Sequence, residues 1–138
     1  MKLNNNTDNE CFKLLNCPSL SLDIYLIKIV SIIKPDVSTI IIAFIYIDKY
    51  WNLNRLLPDK SSLYLLISSS LYLAYSYNED KKISFGYFSE TVKISKYKFA
   101  DVIYSLVKML NYKLFVSETE YKQYEYCLID KYKETYIK

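Results

Sequence analysis

Residues 61–78 read SSLYLLISSSLYLAYSYN, and this stretch decides what kind of protein the chain is. It has no charged side chain, although the 138-residue protein carries 18 Lys and Arg and 15 Asp and Glu. As an α-helix it would span ~27 Å, which is close to the thickness of a bilayer core. The stretch therefore fits either a membrane helix or the central helix of a helical bundle.

The sequence favours the central helix. The stretch is rich in serine and tyrosine, so its hydropathy is low for a membrane span. The other long apolar segments are interrupted by charges, at Lys28 and Asp48, so they do not reach the length of a membrane span either. Ser62, Ser69 and Ser76 recur every seven residues, and small side chains at this spacing let neighbouring helices approach closely. A helix without a charged face has no face for solvent, so we expect it to be buried in a soluble bundle.

The remaining chain also has a helical pattern. It contains one glycine and three prolines, and its apolar residues repeat with the period of an α-helix. Ser95 and the sequence SETE at 117–120 are typical helix starts. A strand is the competing interpretation for the β-branched run 40–42, but it would lack a partner strand. The sequence predicts an all-α fold of five to seven helices, with Tyr121, Tyr124, Cys127 and Leu128 facing inward in the last.

Composition argues against several classes of function. The chain has no histidine and a single glycine, Gly86, which removes the commonest general base and the glycine-rich loops that hold phosphates. Cys11, Cys17 and Cys127 form no CxxC motif, so we expect free thiols and neither a metal site nor disulfides. A mixed net charge of +3 does not favour a nucleic-acid surface. We therefore expect no enzyme activity, no cofactor and no nucleic-acid or membrane partner.

Five segments resemble, in order, the motifs of one helical family. Residues 25–29 (YLIKI) are similar to Y-L-x-R-I, and residues 44–50 (FIYIDKY) to (V/I)-Y-(I/L)-D-R. Residues 73–80 (LAYSYNED) resemble A-x-K-(aromatic)-x-(E/D), and residues 85–94 resemble a short fourth helix. The most specific likeness joins residues 102–117 to L-E-x-x-F-L-x-x-L-x-(aromatic)-x-L-x-V-S. These motifs belong to the cyclin box, and the chain resembles the fungal phosphate-pathway cyclins.

The resemblance implies a fold and a function. The fold would be a five-helix cyclin box with a central third helix, plus flanking N- and C-terminal helices. The chain would divide into a polar N-terminal extension at 1–17 with at most a short helix, a cyclin-like domain at 18–133 and a tail at 134–138. The protein would be a non-catalytic subunit, nuclear or cytoplasmic, that forms a heterodimer with a cyclin-dependent protein kinase and activates it.

The resemblance also implies a structural ion pair. In cyclins an Arg of the first helix reaches an Asp of the second, and the matching residues here are Lys28 and Asp48. A buried carboxylate without a partner would be costly, so replacement of the Arg by another cation is the tolerable change. The alternative is that both side chains are ordinary surface charges.

The kinase-contacting surface of the family maps onto seven positions of this chain. Two of them depart from the family, because Ser76 and Ile103 stand where cyclins have a Lys and a Glu that hold the kinase helix. The others keep the apolar character of the surface and are Leu73, Tyr77, Val107, Tyr112 and Leu114. Each also lies on an apolar stripe and so fits an interior role, but the two tyrosines suit an interface better because their hydroxyls can stay hydrated. Loss of both charges leaves an apolar surface that can still bind.

Two other functions compete with the kinase subunit. A cyclin-fold interaction module or transcription adaptor would have lost kinase activation, and an adaptor of that kind would show a second repeat and a basic stripe for DNA. A small helical membrane protein is the other alternative, and cell fractionation separates it from a soluble one.

Overall fold

The computed structural model describes residues 21–54 and 60–136, and every element in these two ranges is an α-helix. The prediction of an all-α fold is confirmed for them. The expected extension at 1–17 lies outside the described residues, and the expected boundary before residue 134 falls inside the last helix. The six helices are α1 (Leu22–Ile33), α2 (Val37–Asn54), α3 (Lys60–Asn78), α4 (Phe85–Val92), α5 (Lys96–Met109) and α6 (Glu118–Tyr136).

Serine side chains cap α5 and α6, as the sequence predicts for these two helices. The Ser95 hydroxyl accepts a hydrogen bond from the backbone N–H of Lys98 at the start of α5. At the start of α6, the Ser117 hydroxyl accepts from the N–H of Glu120 at 3.1 Å. The Glu120 carboxylate pairs with Lys49 of α2 at 3.4 Å, so it links two helices in addition to its place in the capping sequence.

Helix α3 is the centre of the described fold. It packs against α1, α2 and α5, and Tyr72 also makes an edge-on ring contact with Phe85 of α4. Its middle is buried on all sides, and the buried residues there are Tyr64, Leu65, Leu66, Ser68, Ser69, Ser70, Leu71, Leu73, Ala74 and Tyr75. Ser68 and Ser69 donate their hydroxyl protons to carbonyls one turn back on their own helix, which satisfies these groups in the core. No helix in the described ranges is both long enough and apolar enough to cross a bilayer.

A cluster of aromatic rings joins α3, α4 and α5. Tyr72 makes edge-on contacts with Phe85, Phe88 and Phe99, and Phe99 stacks on both of the other phenylalanines. Phe88 and Phe99 are completely buried. We call these four residues the interior ring cluster. It should stabilise the packing of these three helices, because edge-on and offset ring contacts add to the free energy gained by burying apolar area.

The C-terminal end of α3 holds the start of α2. The Glu79 carboxylate accepts hydrogen bonds from the backbone N–H of Asp36 at 3.3 Å and from the Thr39 hydroxyl at 2.7 Å. Asn78 donates from its side-chain amide to the hydroxyls of Ser38 and Thr39. The negative charge of Glu79 also lies at the N-terminal end of α2, where it interacts favourably with the helix dipole. Together these contacts fix the end of α3 relative to α2.

The burial of two helices differs from what their sequences predict. The stretch 37–51 is apolar nearly all round, which predicts a buried helix, but Val37 and Trp51 at its two ends are exposed. Cys127 was expected to face inward on α6 but is exposed, with a free thiol. Tyr121, Tyr124 and Leu128 are half-buried, so α6 turns a narrower face to the core than its sequence suggests.

Candidate partner-binding surface

An exposed groove lies where the end of α3 meets the segment that follows α5. Its walls are Tyr77 from α3 and the consecutive residues 112–115. The tyrosine groove, as we call it, consists of Tyr77, Tyr112, Lys113, Leu114 and Phe115. Three of its side chains are large aromatic rings that are more than half exposed, at 52% for Tyr77, 63% for Tyr112 and 69% for Phe115. On most protein surfaces exposed aromatic rings occur singly. A group of neighbouring exposed rings is typical of a surface that binds a partner.

The backbone that presents Tyr112 is strained. Asn111 and Tyr112 both have φ of 60°, in the left-handed region that non-glycine residues seldom adopt. The conformation turns the chain sharply out of α5, and the N–H of Tyr112 bonds to the Val107 carbonyl at 3.0 Å. For a tyrosine this conformation costs about 1–2 kcal/mol, so the rest of the fold must compensate for it.

A buried tyrosine supports the groove from below. Tyr46 of α2 is fully buried, and its hydroxyl donates a hydrogen bond to the Leu114 carbonyl at 2.7 Å. Burial raises the pKa of Tyr46, and the nearby Tyr77 raises it further. Both effects favour the protonated phenol, which is the form that donates to the Leu114 carbonyl.

The structure brings together three of the seven residues expected to contact a kinase. Tyr77, Tyr112 and Leu114 line the tyrosine groove, although they come from two parts of the sequence. Leu73 lies in the hydrophobic core, and Val107 is half-buried against it. Leu73 is therefore an interior residue, as the alternative interpretation proposed, and Val107 is partly so.

The two positions that depart from the cyclin pattern differ in exposure. Ser76 is exposed on the last turn of α3, next to Tyr77. Ile103 of α5 is half-buried and packs against the core. Neither side chain carries a charge, so this part of the surface offers a partner a hydroxyl and a partly buried aliphatic group.

The expected ion pair between Lys28 and Asp48 is not formed. Both side chains are exposed, and the ion pairs among the described residues are Lys49–Glu120 and Lys122–Glu118. Asp48 instead lies beside Tyr124 of α6, where burial first and the carboxylate second raise the pKa of the phenol. Since neither charge is buried, neither requires a partner, and the surface-charge alternative describes them better.

A second apolar groove lies between the start of α2 and the C-terminal half of α6. It is lined by the aliphatic and aromatic side chains of Val37, Ile40, Ile41, Phe44, Leu128 and Ile129, with Glu125 at its edge. None of the residues expected to contact a partner lies in it. The two grooves therefore have no lining residue in common and lie at different places on the surface.

Within residues 21–54 and 60–136, no three or more His, Cys, Asp or Glu side chains lie close enough together to hold a metal ion. The chemistry of the tyrosine groove is consequently that of apolar contact, hydrogen bonds from phenols and one ammonium group.

Comparison with known proteins adds no family assignment. No protein-family model matches the chain, and no curated protein matches it.

Sequence reasoning missed Phe115, Lys113 and Tyr46 at this site. Tyr112 and Leu114 were identified by their match to the cyclin motif, in which Lys113 and Phe115 fall on unspecified positions. Lys113 and Phe115 also lie outside any helix, so no helical repeat selects them. Tyr46 looks like any interior residue of α2. Its contact with Leu114 joins residues 68 positions apart, which a pattern along one helix cannot reveal.

Proposed function

We propose that the protein is a non-catalytic regulatory subunit that binds a cyclin-dependent protein kinase and activates it as a heterodimer. The observation that carries the proposal is the tyrosine groove, in which Tyr77, Tyr112 and Leu114 meet although residues 78–111 separate them along the chain. All three match positions of the kinase-contacting surface of cyclins in the resemblance described above.

The groove has the properties of a protein interface. Tyrosine side chains combine a large apolar ring with a hydroxyl that stays hydrated, and they are enriched among the residues that contribute most to binding. The end of α3 that carries Tyr77 is fixed by Glu79 and Asn78, and Tyr46 supports Leu114. A rigid surface loses little conformational entropy on binding, so it favours affinity.

The activity would belong to the partner. A kinase is active when its own Glu and ATP-positioning Lys are brought together, which depends on the position of a mobile helix. The regulatory subunit would bind the active arrangement more tightly than the inactive one and so raise its population. It would supply no catalytic group and no cofactor, and it would act in the nucleus or the cytoplasm with its kinase.

The test is co-expression of the full chain with each cyclin-dependent kinase of its source organism, followed by co-purification and a kinase assay. We expect one kinase to co-purify and to gain activity. Tyr112→Lys should weaken the complex by about tenfold or more, since a charged side chain cannot be desolvated against an apolar partner. Tyr97→Lys is the matched control, because Tyr97 is 88% exposed on the first turn of α5 and does not line the groove. Failure of every kinase to co-purify would contradict the proposal.

A second candidate function is a cyclin-fold interaction module that has lost kinase activation. The observation in its favour is the absence of charge at both Ser76 and Ile103. The same experiment separates the two functions. Stable co-purification of a kinase without any increase in its activity would support the interaction module.

A further inference from the structure

Tyr46 is the interior residue that connects most directly with the tyrosine groove. It lies in the middle of α2, its side chain is completely buried, and its hydroxyl donates to the carbonyl of Leu114 at 2.7 Å. Tyr77 on the opposite wall of the groove is close enough to affect the pKa of Tyr46. The buried phenol therefore lies directly behind the wall that contains Leu114.

The segment that Tyr46 contacts, residues 113–117, joins the end of α5 to the start of α6 and belongs to no helix. At its beginning, the N–H of Lys113 donates a hydrogen bond to the Leu110 carbonyl at 3.1 Å. The strained turn at Asn111 and Tyr112 begins the segment, and the Ser117 cap ends it. Leu114 and Val116 pack their side chains against the core, and the Tyr46 hydroxyl supplies a hydrogen bond to the backbone in the middle of the segment.

We propose that Tyr46 is a positioning residue of the tyrosine groove: its hydroxyl holds the Leu114 carbonyl and thereby fixes the segment that presents Tyr112 and Phe115. The consequence for kinase binding rests on the function proposed above. The positioning itself concerns the free protein and is tested without a partner.

The variant for the test is Tyr46→Phe, which removes the hydroxyl and keeps the buried ring. Tyr25→Phe is the matched control. Tyr25 of α1 is equally buried, and its hydroxyl donates to the Val92 carbonyl and contacts the Ser68 hydroxyl, none of which lines the groove. Each variant loses a buried phenol hydrogen bond, so a general effect of losing such a bond appears in both.

The first measurement is amide hydrogen exchange of the full chain, with labelling from milliseconds to minutes. The amides to follow are those of Tyr112 and Lys113, whose N–H groups donate to the Val107 and Leu110 carbonyls beside the segment. In Tyr46→Phe we expect their exchange to become about threefold to tenfold faster, as for the loss of one buried hydrogen bond. Tyr25→Phe should leave these two amides unchanged. Equal exchange of the two amides in both variants would overturn the positioning role.

The second measurement is the Kd for the kinase that co-purifies with the wild-type chain. We expect Tyr46→Phe to weaken binding by about threefold to tenfold and Tyr25→Phe to leave it within about twofold. If Tyr46→Phe exchanges faster but has an unchanged Kd, the segment is not used for kinase binding. That result would contradict the expected effect on binding, whereas the role of Tyr46 in positioning the segment would stand. If no kinase co-purifies, the proposed function fails, and the exchange experiment still decides the role of Tyr46.

Discussion

Helix α3 contributes aromatic side chains to two groups of residues, of which one is in the interior and the other is exposed to solvent. Tyr72 belongs to the interior ring cluster, where Phe88 and Phe99 are fully buried and the rings touch one another. Tyr77, little more than one turn later, belongs to the tyrosine groove, where the rings are exposed and flank an open surface. The same residue type on the same helix therefore serves two environments.

The comparison separates stability from recognition. The interior rings have their partners within the chain, so they contribute to the free energy of unfolding. The groove rings face solvent and stabilise the fold little, and their position is maintained by groups behind them such as Tyr46 and Glu79. Substitutions in the two clusters should consequently separate loss of folding from loss of binding.

The largest expected effect is from Phe99→Ala in the interior ring cluster. Removing a completely buried ring that contacts Tyr72, Phe85 and Phe88 should lower the free energy of unfolding by about 3–5 kcal/mol. Phe115→Ala in the groove should change it by at most about 0.5 kcal/mol. Urea denaturation of both variants checks this, and similar losses would contradict the division between the clusters.

The second effect concerns pH and a buried phenol. Burial raises the pKa of Tyr25 from 10.0 to about 12. Between these values the unfolded chain releases the phenol proton and the folded chain keeps it, so the stability contributed below pH 10 decreases as pH rises toward 12. The decrease should be about 2–3 kcal/mol for this group. Urea denaturation from pH 9 to 12 should show a smaller decrease in Tyr25→Phe, and parallel curves for the two proteins would contradict the assignment.

The third effect tests the connection between the end of α3 and α2. Glu79→Ala removes the acceptor for the Asp36 N–H and the Thr39 hydroxyl, and should destabilise the protein by about 1–2 kcal/mol. Asp80→Ala, at the adjacent exposed residue, should change stability by less than about 0.5 kcal/mol. The measurement is thermal unfolding of both variants. Equal transition temperatures would mean that Glu79 does not fix the helix that carries Tyr77.

The smallest effect separates the Tyr112 side chain from its backbone. Because φ is 60° at this residue, Tyr112→Gly should be about 0.5–1 kcal/mol more stable than Tyr112→Ala. Both variants remove the ring, so both should bind the kinase more weakly than the wild-type protein. Urea denaturation gives the first comparison and co-purification the second. Greater stability of the Ala variant would contradict the strained conformation.

Local patterns were sufficient for the helices but not for the contacts between them. Ser95 and Ser117 cap helices as predicted, because a cap depends on residues within one turn. The uncharged stretch at 61–78 was expected to be central because it has no polar face, and the packing of α3 agrees. The arrangement of a cyclin box stays a prediction.

The wrong prediction and the missed contact both concern residues far apart in the sequence, so they depend on how the helices are arranged in space. The pairing of Lys28 with Asp48 came from matching positions in a family, and the structure leaves both charges in solvent. The Tyr46–Leu114 bond and the positive φ at Tyr112 have no signal in the sequence, since no glycine marks the turn. A helical repeat specifies which face of a helix is buried, but not which backbone atom lies opposite.

The central claim is that the tyrosine groove is the surface that binds a kinase. The most direct measurement is amide hydrogen exchange of the full chain, alone and in complex with the kinase that co-purifies with it. The account predicts slower exchange in the complex at the end of α3 around Tyr77 and at residues 111–116, with no change in the groove between α2 and α6. Slower exchange confined to the α2–α6 groove, with residues 111–116 unchanged, would contradict it.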